Sequence, residues 1–183
     1  MVEYTPYYCE ENAWHRCRRH RAEGLDVRVT IISNERRRCL LFNQSAAGAP
    51  GESLLWDYHV IVASRTPGAP FQIWDPDSHA PLPSAVLTYA EATFAPERDV
   101  PARYRPRFRV LEGDRYLRTL SSDRSHMRRA DGSFLQPEPP WPEIRNGPPN
   151  LLQLFDVRLA PTEWIDLPAW LALHEGDAPG SAR

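Results

Sequence analysis

Residues 54–75 read LLWDYHVIVASRTPGAPFQIWD, and they carry the clearest strand pattern in the chain. Its first half, residues 54–64, is rich in β-branched and aromatic residues, and residues 71–75 repeat that character after a Thr-Pro-Gly turn. Two such runs on either side of a short turn predict an antiparallel hairpin. The hairpin places His59 and Asp75 on neighbouring strands.

A helix is predicted upstream of the hairpin, over residues 10–23. Glu10 and Glu11 open it, arginines fill its last turns, and Gly24 follows as a stop, in keeping with the helix dipole. The residue just before this segment is Cys9. The sequence therefore predicts a cysteine at a helix N-terminus.

The rest of the chain alternates short strands, helices and loops. Val27, Val29 and Ile31 alternate with polar residues, which predicts a half-buried strand. The further expectations are a strand over 39–42, a loop over 46–53, a helix over 84–94 with Ser84 as its N-cap, a strand over 108–111, a short helix over 114–120, a proline-rich loop over 121–149 ordered by Phe134 and Trp141, and a docked segment over 151–174. We expect one α+β domain over residues 1–175, with a flexible tail over 176–183.

Composition narrows the class of protein. A chain of 183 residues with 42% hydrophobic content can form one folded domain with a sizeable core. All 22 Lys or Arg positions are arginine, and the 24 acidic residues outnumber them, so we expect no nonspecific binding to nucleic acid. Residues 1–8 lack the pattern of a secretory signal, and no apolar run could span a bilayer. Three cysteines fit a reducing cytoplasm, where we expect a monomer.

The residue types at positions 9, 59 and 75 are those of a cysteine hydrolase. Such an enzyme needs a thiolate, a base that can return a proton, and a group that fixes the tautomer of the base. Cys9, His59 and Asp75 supply all three. A cysteine that opens a helix, followed by a histidine and an aspartate on paired strands, is the arrangement of papain-like and transglutaminase-like hydrolases.

The surroundings of Cys9 should control its ionisation. A helix N-terminus and a nearby imidazolium would lower the thiol pKa from its usual value of about 8.5. Glu10 and Glu11 would oppose ionisation if they pointed inward, so we expect at least one of them to face solvent or substrate.

Other interpretations of these residues stay open. A single cysteine is commonly a small core residue, and a strand histidine is commonly structural. His15, Cys17 and His20 are metal-ligand types, but they do not share one helix face, so no metal site is expected. Ser125 and His126 lack the glycine-flanked turn of serine hydrolases, and a loop is the default there.

Several separate strings resemble one family. They are Tyr7-Tyr8-Cys9-Glu10-Glu11-Asn12-Ala13-Trp14, Ile32-Ser33-Asn34-Glu35-Arg36, Trp56-Asp57-Tyr58-His59-Val60, Trp74-Asp75, Phe108-Arg109-Val110 and Ser122-Asp123-Arg124-Ser125-His126-Met127. In this order they resemble the protein N-terminal glutamine amidohydrolase family, from about residue 7 to about residue 144. The resemblance implies a papain-like α+β fold, the family's catalytic residues at Cys9, His59 and Asp75, and no cofactor.

The same resemblance implies a reaction. The side-chain amide of an N-terminal glutamine is hydrolysed to glutamate, which feeds the N-degron route of protein turnover, and the partners are proteins or peptides with N-terminal Gln. Such an enzyme must recognise a free α-ammonium group, for which a carboxylate is suited. Glu11, Glu35 and Asp123 are the candidates for substrate binding.

Two rival functions remain. The same catalytic residues could deamidate an internal glutamine of a partner protein or transfer its acyl group to an amine, as a transglutaminase does. The arginine clusters at 16–21, 36–38 and 103–109, interleaved with aromatic residues, could instead form a nucleic-acid-binding module. The acidic excess argues against that module, so we expect neither nucleic-acid nor membrane partners.

Overall fold

A computed structural model describes residues 4–95 and 98–175. The helices are α1 (Cys9–Ala22), α2 (Val86–Phe94), α3 (Gly113–Thr119), α4 (Leu151–Phe155) and α5 (Leu167–Glu175), and the strands are β1 (Asp26–Ser33), β2 (Cys39–Phe42), β3 (Ser53–Trp56), β4 (His59–Arg65), β5 (Gln72–Trp74), β6 (Ser84–Ala85) and β7 (Arg107–Glu112). In this part of the chain, no helix has the length and apolar character that crossing a membrane requires.

A five-stranded antiparallel sheet in the order β6-β5-β4-β1-β7 organises the molecule. β2 and β3 form a separate two-stranded sheet. The predicted hairpin is confirmed, because β4 pairs antiparallel with β5 and Val62 faces Trp74. The protein is thus an α+β structure built on an antiparallel sheet, as the sequence predicted.

The central strand β1 is buried on both faces, so the prediction of a half-buried strand is wrong. Val29 and Ile31 join one core cluster with α1, while Ile32 joins a second core cluster with Phe108. Polar Thr30 is buried without an unsatisfied hydroxyl, because that hydroxyl accepts a hydrogen bond at 3.1 Å from the indole of Trp170, a residue of the second core cluster. Period-two alternation therefore marks two different cores here rather than core and solvent.

The run 54–64 does not form one strand, because it breaks between β3 and β4. Tyr58 N–H donates to the Asp57 carboxylate at 2.9 Å, and Ser33 hydroxyl donates to the Asp57 carbonyl at 2.8 Å. These bonds redirect the chain at residues 57–58. As a result His59 is the first residue of β4, and Asp75 directly follows the end of β5.

The helix predictions differ from the structure mainly at their ends. The helix expected over 10–23 is α1, which begins at Cys9 and ends at Ala22. Ser84 does not cap α2, because it lies in β6 and its hydroxyl donates to the Pro81 carbonyl. The loop 121–149 contains one short 3₁₀ turn at Ser125–Met127. The predicted tail, 176–183, lies outside the described residues.

Candidate active site

Cys9 lies where α1 packs against β4, at the wall of a large cleft. The cleft has a volume of about 870 Å³, and Cys9, Trp56, Tyr58, Asp123 and His126 contribute to its lining. Only 4% of Cys9 is exposed. The sulfur is therefore enclosed by protein on most sides and reaches the cleft through a small opening.

His59 and Asp75 form a buried pair at the edge of β4. Nε2 of His59 lies 3.0 Å from Oδ1 of Asp75, and both side chains are buried. An ionised carboxylate can only accept, so Nε2 carries the proton and Nδ1 is left as the basic nitrogen. Among the described residues Nδ1 has no hydrogen-bond partner. The pair thus holds one imidazole tautomer with its acceptor nitrogen available.

Further donors stabilise the Asp75 carboxylate. Tyr89 hydroxyl donates to Oδ2 at 2.7 Å, and the backbone N–H of Asp77 donates to Oδ1 at 3.1 Å. Burial raises the pKa of Asp75, but His59 and these donors outweigh burial, so its pKa is lowered. For His59 burial lowers the pKa, yet Asp75 outweighs burial and the pKa is raised. Both shifts favour a charged pair once His59 takes a second proton.

Cys9 does not have the lowered pKa that its helix position suggested. Burial raises the pKa of the thiol well above its usual range, and Glu10 and Asp77 raise it further. A hydrogen bond with the backbone of Val60 acts in the opposite direction and is weaker. Val60 directly follows His59, so the sulfur lies against the chain that carries the imidazole. The thiol is protonated at rest and needs a base when it reacts.

Glu10 points inward. We expected at least one of Glu10 and Glu11 to face solvent or substrate, and neither faces solvent, because both are fully buried. The Cys9 thiol donates to Oε2 of Glu10 at 3.8 Å, and Tyr58 hydroxyl donates to the same oxygen at 3.2 Å. Oε1 lies 3.4 Å from Nε2 of His126. A second carboxylate–imidazole pair therefore lies beside Cys9.

The three residues predicted to bind substrate lie in different surroundings. Glu11 is buried, and its carboxylate accepts from Arg124 at 2.8 and 2.7 Å and from the Trp141 indole at 2.7 Å. Glu35 is more than half exposed, 4.0 Å from Arg107. Asp123 lines the cleft with Cys9, and it accepts from Ser125 N–H at 3.0 Å. The structure thus brings Asp123 to the cleft and holds Glu11 in an internal ion pair.

The Asp123 carboxylate is ionised at neutral pH. The backbone N–H and the hydroxyl of Ser125 lower its pKa, since both favour the charged form. On the same cleft, Asp57 and Asp156 are paired with Arg37 and Arg158. Asp123 accepts instead from Ser125, and within the described residues it makes no such ion pair, although the more distant Arg145 also lowers its pKa.

Sequence reasoning missed several residues of this site. Tyr58, Tyr89 and His126 were given no role, and for Glu10 we expected only that it or Glu11 would face solvent or substrate. Glu10 and Tyr58 could have been proposed from the sequence, because each is the chain neighbour of a predicted catalytic residue. His126 lies in one of the strings that resemble the family, although its neighbourhood was interpreted as a plain loop.

One cluster has the residue types of a metal site. Within the described ranges, His59, Asp75 and Asp77 are the one such group, with candidate ligand atoms within 4.8 Å of one another. The two carboxylates already have protein partners, because Asp75 accepts from Nε2 of His59 at 3.0 Å and Asp77 accepts from Tyr4 hydroxyl at 2.7 Å. The observed bonds suit an acid–base site.

The comparisons with known proteins point to one family. A model of the N-terminal glutamine amidase family matches residues 4–164. The chain is 36% identical over 148 residues to protein N-terminal glutamine amidohydrolase of Homo sapiens, covering 79% of this chain and 72% of that protein. It is 35% identical to the protein of the same name in Arabidopsis thaliana, over 78% of this chain and 68% of that protein. It is also 35% identical to the protein of the same name in Caenorhabditis briggsae, over 86% of this chain and 88% of that protein.

A solved structure is also similar, though weakly. It is protein-glutaminase from Chryseobacterium proteolyticum, which is 15% identical, with a TM-score of 0.41 over all of this chain and 78% of that one. The family match covers most of the chain, and the identities to the curated relatives extend over at least two thirds of each partner. The chain therefore belongs to the N-terminal glutamine amidase family.

Proposed function

We propose that this protein hydrolyses the side-chain amide of an N-terminal glutamine to glutamate and releases ammonia. The observation that carries the proposal is the buried His59–Asp75 pair, whose strand contacts the Cys9 sulfur through the Val60 backbone, in a chain whose family relatives are named for this reaction. The pair leaves Nδ1 of His59 available as a base. The cleft offers room for the first residues of a peptide.

In the simplest mechanism Cys9 is the nucleophile. His59 takes the thiol proton as sulfur attacks the carboxamide carbon, and a backbone N–H at the start of α1 stabilises the oxyanion. His59 returns the proton as ammonia leaves, and a thioester remains on Cys9. Water that loses a proton to His59 then hydrolyses the thioester, while Asp75 fixes the orientation of the ring.

Recognition of a first residue requires a group that binds the α-ammonium. Of the three carboxylates predicted for this role, Asp123 is the one on the cleft, and it is ionised. Glu11 is engaged by Arg124 and Trp141, and Glu35 is not among the residues that line the cleft. Asp123 is therefore our choice for ammonium recognition, and Glu11 takes a positioning role through Arg124.

The arrangement of elements supports a papain-like or transglutaminase-like core. Cys9 opens α1, His59 opens β4, and Asp75 follows β5, so the three come from a helix and two paired strands. We assign residues 1–175 to one catalytic domain and place it in the cytoplasm as a monomer. Its reaction fits the N-degron route, because converting N-terminal Gln to Glu changes the chemical identity of the first residue.

A panel of matched peptides tests the activity. Purified protein is incubated with peptides bearing Gln first, Asn first, acetylated Gln first, and Gln inside, and ammonia release and the amide-to-acid mass change are measured. We expect turnover of the Gln-first peptide alone. Equal turnover of the acetylated or internal Gln would favour a deamidase of partner proteins, and attachment of an added amine would favour an acyltransferase.

A further inference from the structure

Two carboxylate–imidazole pairs lie near the Cys9 sulfur. Asp75 holds His59, whose chain neighbour Val60 forms a backbone hydrogen bond with the sulfur, and Glu10 lies next to His126. Glu10 connects Cys9 to the second pair directly, since its Oε2 accepts from both the thiol and Tyr58 hydroxyl. The mechanism above uses only the first pair and leaves the second without a role.

Hydrogen-bond directions define the state of His126. Tyr58 has a single hydroxyl proton, which is directed to Glu10, so its oxygen accepts from Nε2–H of His126 at 3.3 Å. Nδ1 is the remaining nitrogen, and the ring lines the cleft with its side chain 26% exposed. His126 can therefore exchange a proton with a molecule in the cleft while its other nitrogen donates to Tyr58 and lies 3.4 Å from Oε1 of Glu10.

The charges around His126 favour the imidazolium. Glu10 and Glu11 approach from α1, and Asp57 approaches from the turn before β4. Burial lowers the pKa of His126, but Glu10 and the more distant carboxylates outweigh burial and raise it. A buried carboxylate without a cation is costly, and Oε1 of Glu10 makes no hydrogen bond within the described residues. A proton on His126 compensates that charge.

We propose that His126 is a second catalytic acid–base residue, which protonates the leaving nitrogen while His59 accepts the thiol proton. Glu10 and Tyr58 are its positioning residues. This inference rests on the proposed function and deepens it, because it assigns the two proton transfers of acylation to two different histidines.

The proton balance closes over one turnover. As the S–C bond forms, the thiol proton passes to His59, and as the C–N bond breaks, His126 gives its proton to the departing nitrogen, which leaves as ammonia. In the second half, water loses a proton to neutral His126 as the new C–O bond forms. The C–S bond breaks, and the sulfur recovers its proton from His59. No further reactant besides water is needed.

A catalytic role of His126 can be distinguished from a structural one by changing the leaving group of the substrate, because only a leaving group that needs a proton should depend on His126. The probes are a Gln-first peptide and the same peptide with a γ-trifluoroethyl ester in place of the amide, with enzyme-free cyclisation subtracted. An alkoxide of this kind departs without protonation, whereas an amide nitrogen does not. The parameter is kcat/KM, because it reports acylation alone.

We expect His126→Asn to lower kcat/KM for the amide by roughly 10² or more and to leave the ester within a few-fold. His59→Asn should reduce both substrates, because both need the thiol proton removed. Glu10→Gln and Tyr58→Phe should act like His126→Asn with smaller losses. His79→Asn, an exposed histidine away from the cleft, is the matched control and should change neither value.

The outcomes are distinct. Equal losses on amide and ester in His126→Asn, or no loss on either, would overturn the inference while the proposed function stands. If the wild-type protein hydrolyses neither probe, both fail. Thermal melts verify folding of each variant, and Glu10→Gln gives the same readout if His126→Asn does not fold. The decline of wild-type amide hydrolysis at high pH should also vanish in His126→Asn.

Discussion

Glu10 and Glu11 are neighbours on α1 and neither is exposed, yet their surroundings are opposite. Glu11 is neutralised by Arg124, a cation that keeps its proton at any ordinary pH. Glu10 meets Cys9, Tyr58 and His126, all of which can gain or lose a proton. One glutamate fixes a structure, and the next one joins a network that can move protons.

The same contrast extends over the molecule. Near Cys9, the buried carboxylates of Glu10 and Asp75 face thiol, hydroxyl and imidazole partners. Glu11 is paired with Arg124 instead, and the buried His20 and His174 are held neutral because burial lowers their pKa. The partners of Glu10 and Asp75 can take up or release a proton, whereas the guanidinium of Arg124 cannot.

The largest effect is expected from Asp75→Asn. An amide would offer N–H to His59 and reverse its tautomer, so the basic nitrogen would no longer be available. In a triad this change costs roughly 10⁴ in kcat. Measured on the Gln-first peptide, the loss should occur without a matching fall in melting temperature.

Asp114→Asn is the control for Asp75→Asn. Asp114 is an exposed carboxylate that pairs with Arg21 outside the cleft. It should retain full activity. Activity of Asp75→Asn within a few-fold of wild type would mean that His59 does not depend on this carboxylate.

The second-largest effect is a loss of folding stability on replacing Arg124. Arg124→Met leaves the buried Glu11 carboxylate without its cation, and breaking a buried pair from one side costs about 3 to 5 kcal/mol of unfolding free energy. Urea unfolding measures this loss. Arg21→Met breaks the exposed pair with Asp114 and should change stability little. If both variants changed the unfolding free energy by the same small amount, the buried Glu11–Arg124 pair would not have the structural role assigned to it.

The smallest effect concerns acid stability. Burial lowers the pKa of His20 and of His174 from 6.5 to about 4 in each case. The unfolded chain takes up these protons near pH 6.5 and the folded chain does not, so stability is present above pH 6.5 and is lost as the pH falls towards 4. At about 1.4 kcal/mol per pH unit, each histidine accounts for up to about 3 kcal/mol.

Urea unfolding at about pH 7 and about pH 5 checks this loss. His174→Gln should flatten the difference between the two conditions, whatever it does to stability at neutral pH. An unchanged pH dependence in this variant would show that the buried His174 is not the group that takes up the proton.

Sequence patterns predicted the hairpin well because its signal is local. Turn residues between two β-rich runs specify β4 and β5, and Cys39–Phe42 was predicted with the bounds that β2 has. The break at residues 57–58 was missed, since it depends on bonds from Asp57 to Tyr58 and Ser33. The two-sided burial of β1 was missed too, because only the packing of the second core reveals it.

The second acid–base pair could not be derived from spacing. Glu10 and His126 are far apart in the sequence, and no periodicity links them. Their contact depends on where the 121–149 loop lies, which in turn depends on the bond of Arg124 to Glu11 and Trp141. Local patterns predict elements, whereas long-range ion pairs determine how a loop completes a site.

The thioester on Cys9 is the species that most directly distinguishes this mechanism from others, and it can be detected by mass. Wild-type protein is mixed with the Gln-first peptide, quenched in acid during turnover, digested and analysed by mass spectrometry. We predict that the peptide containing residue 9 gains the mass of the substrate less ammonia, and that Cys9→Ala shows neither this adduct nor ammonia release. Ammonia release that persists in folded Cys9→Ala would contradict the account.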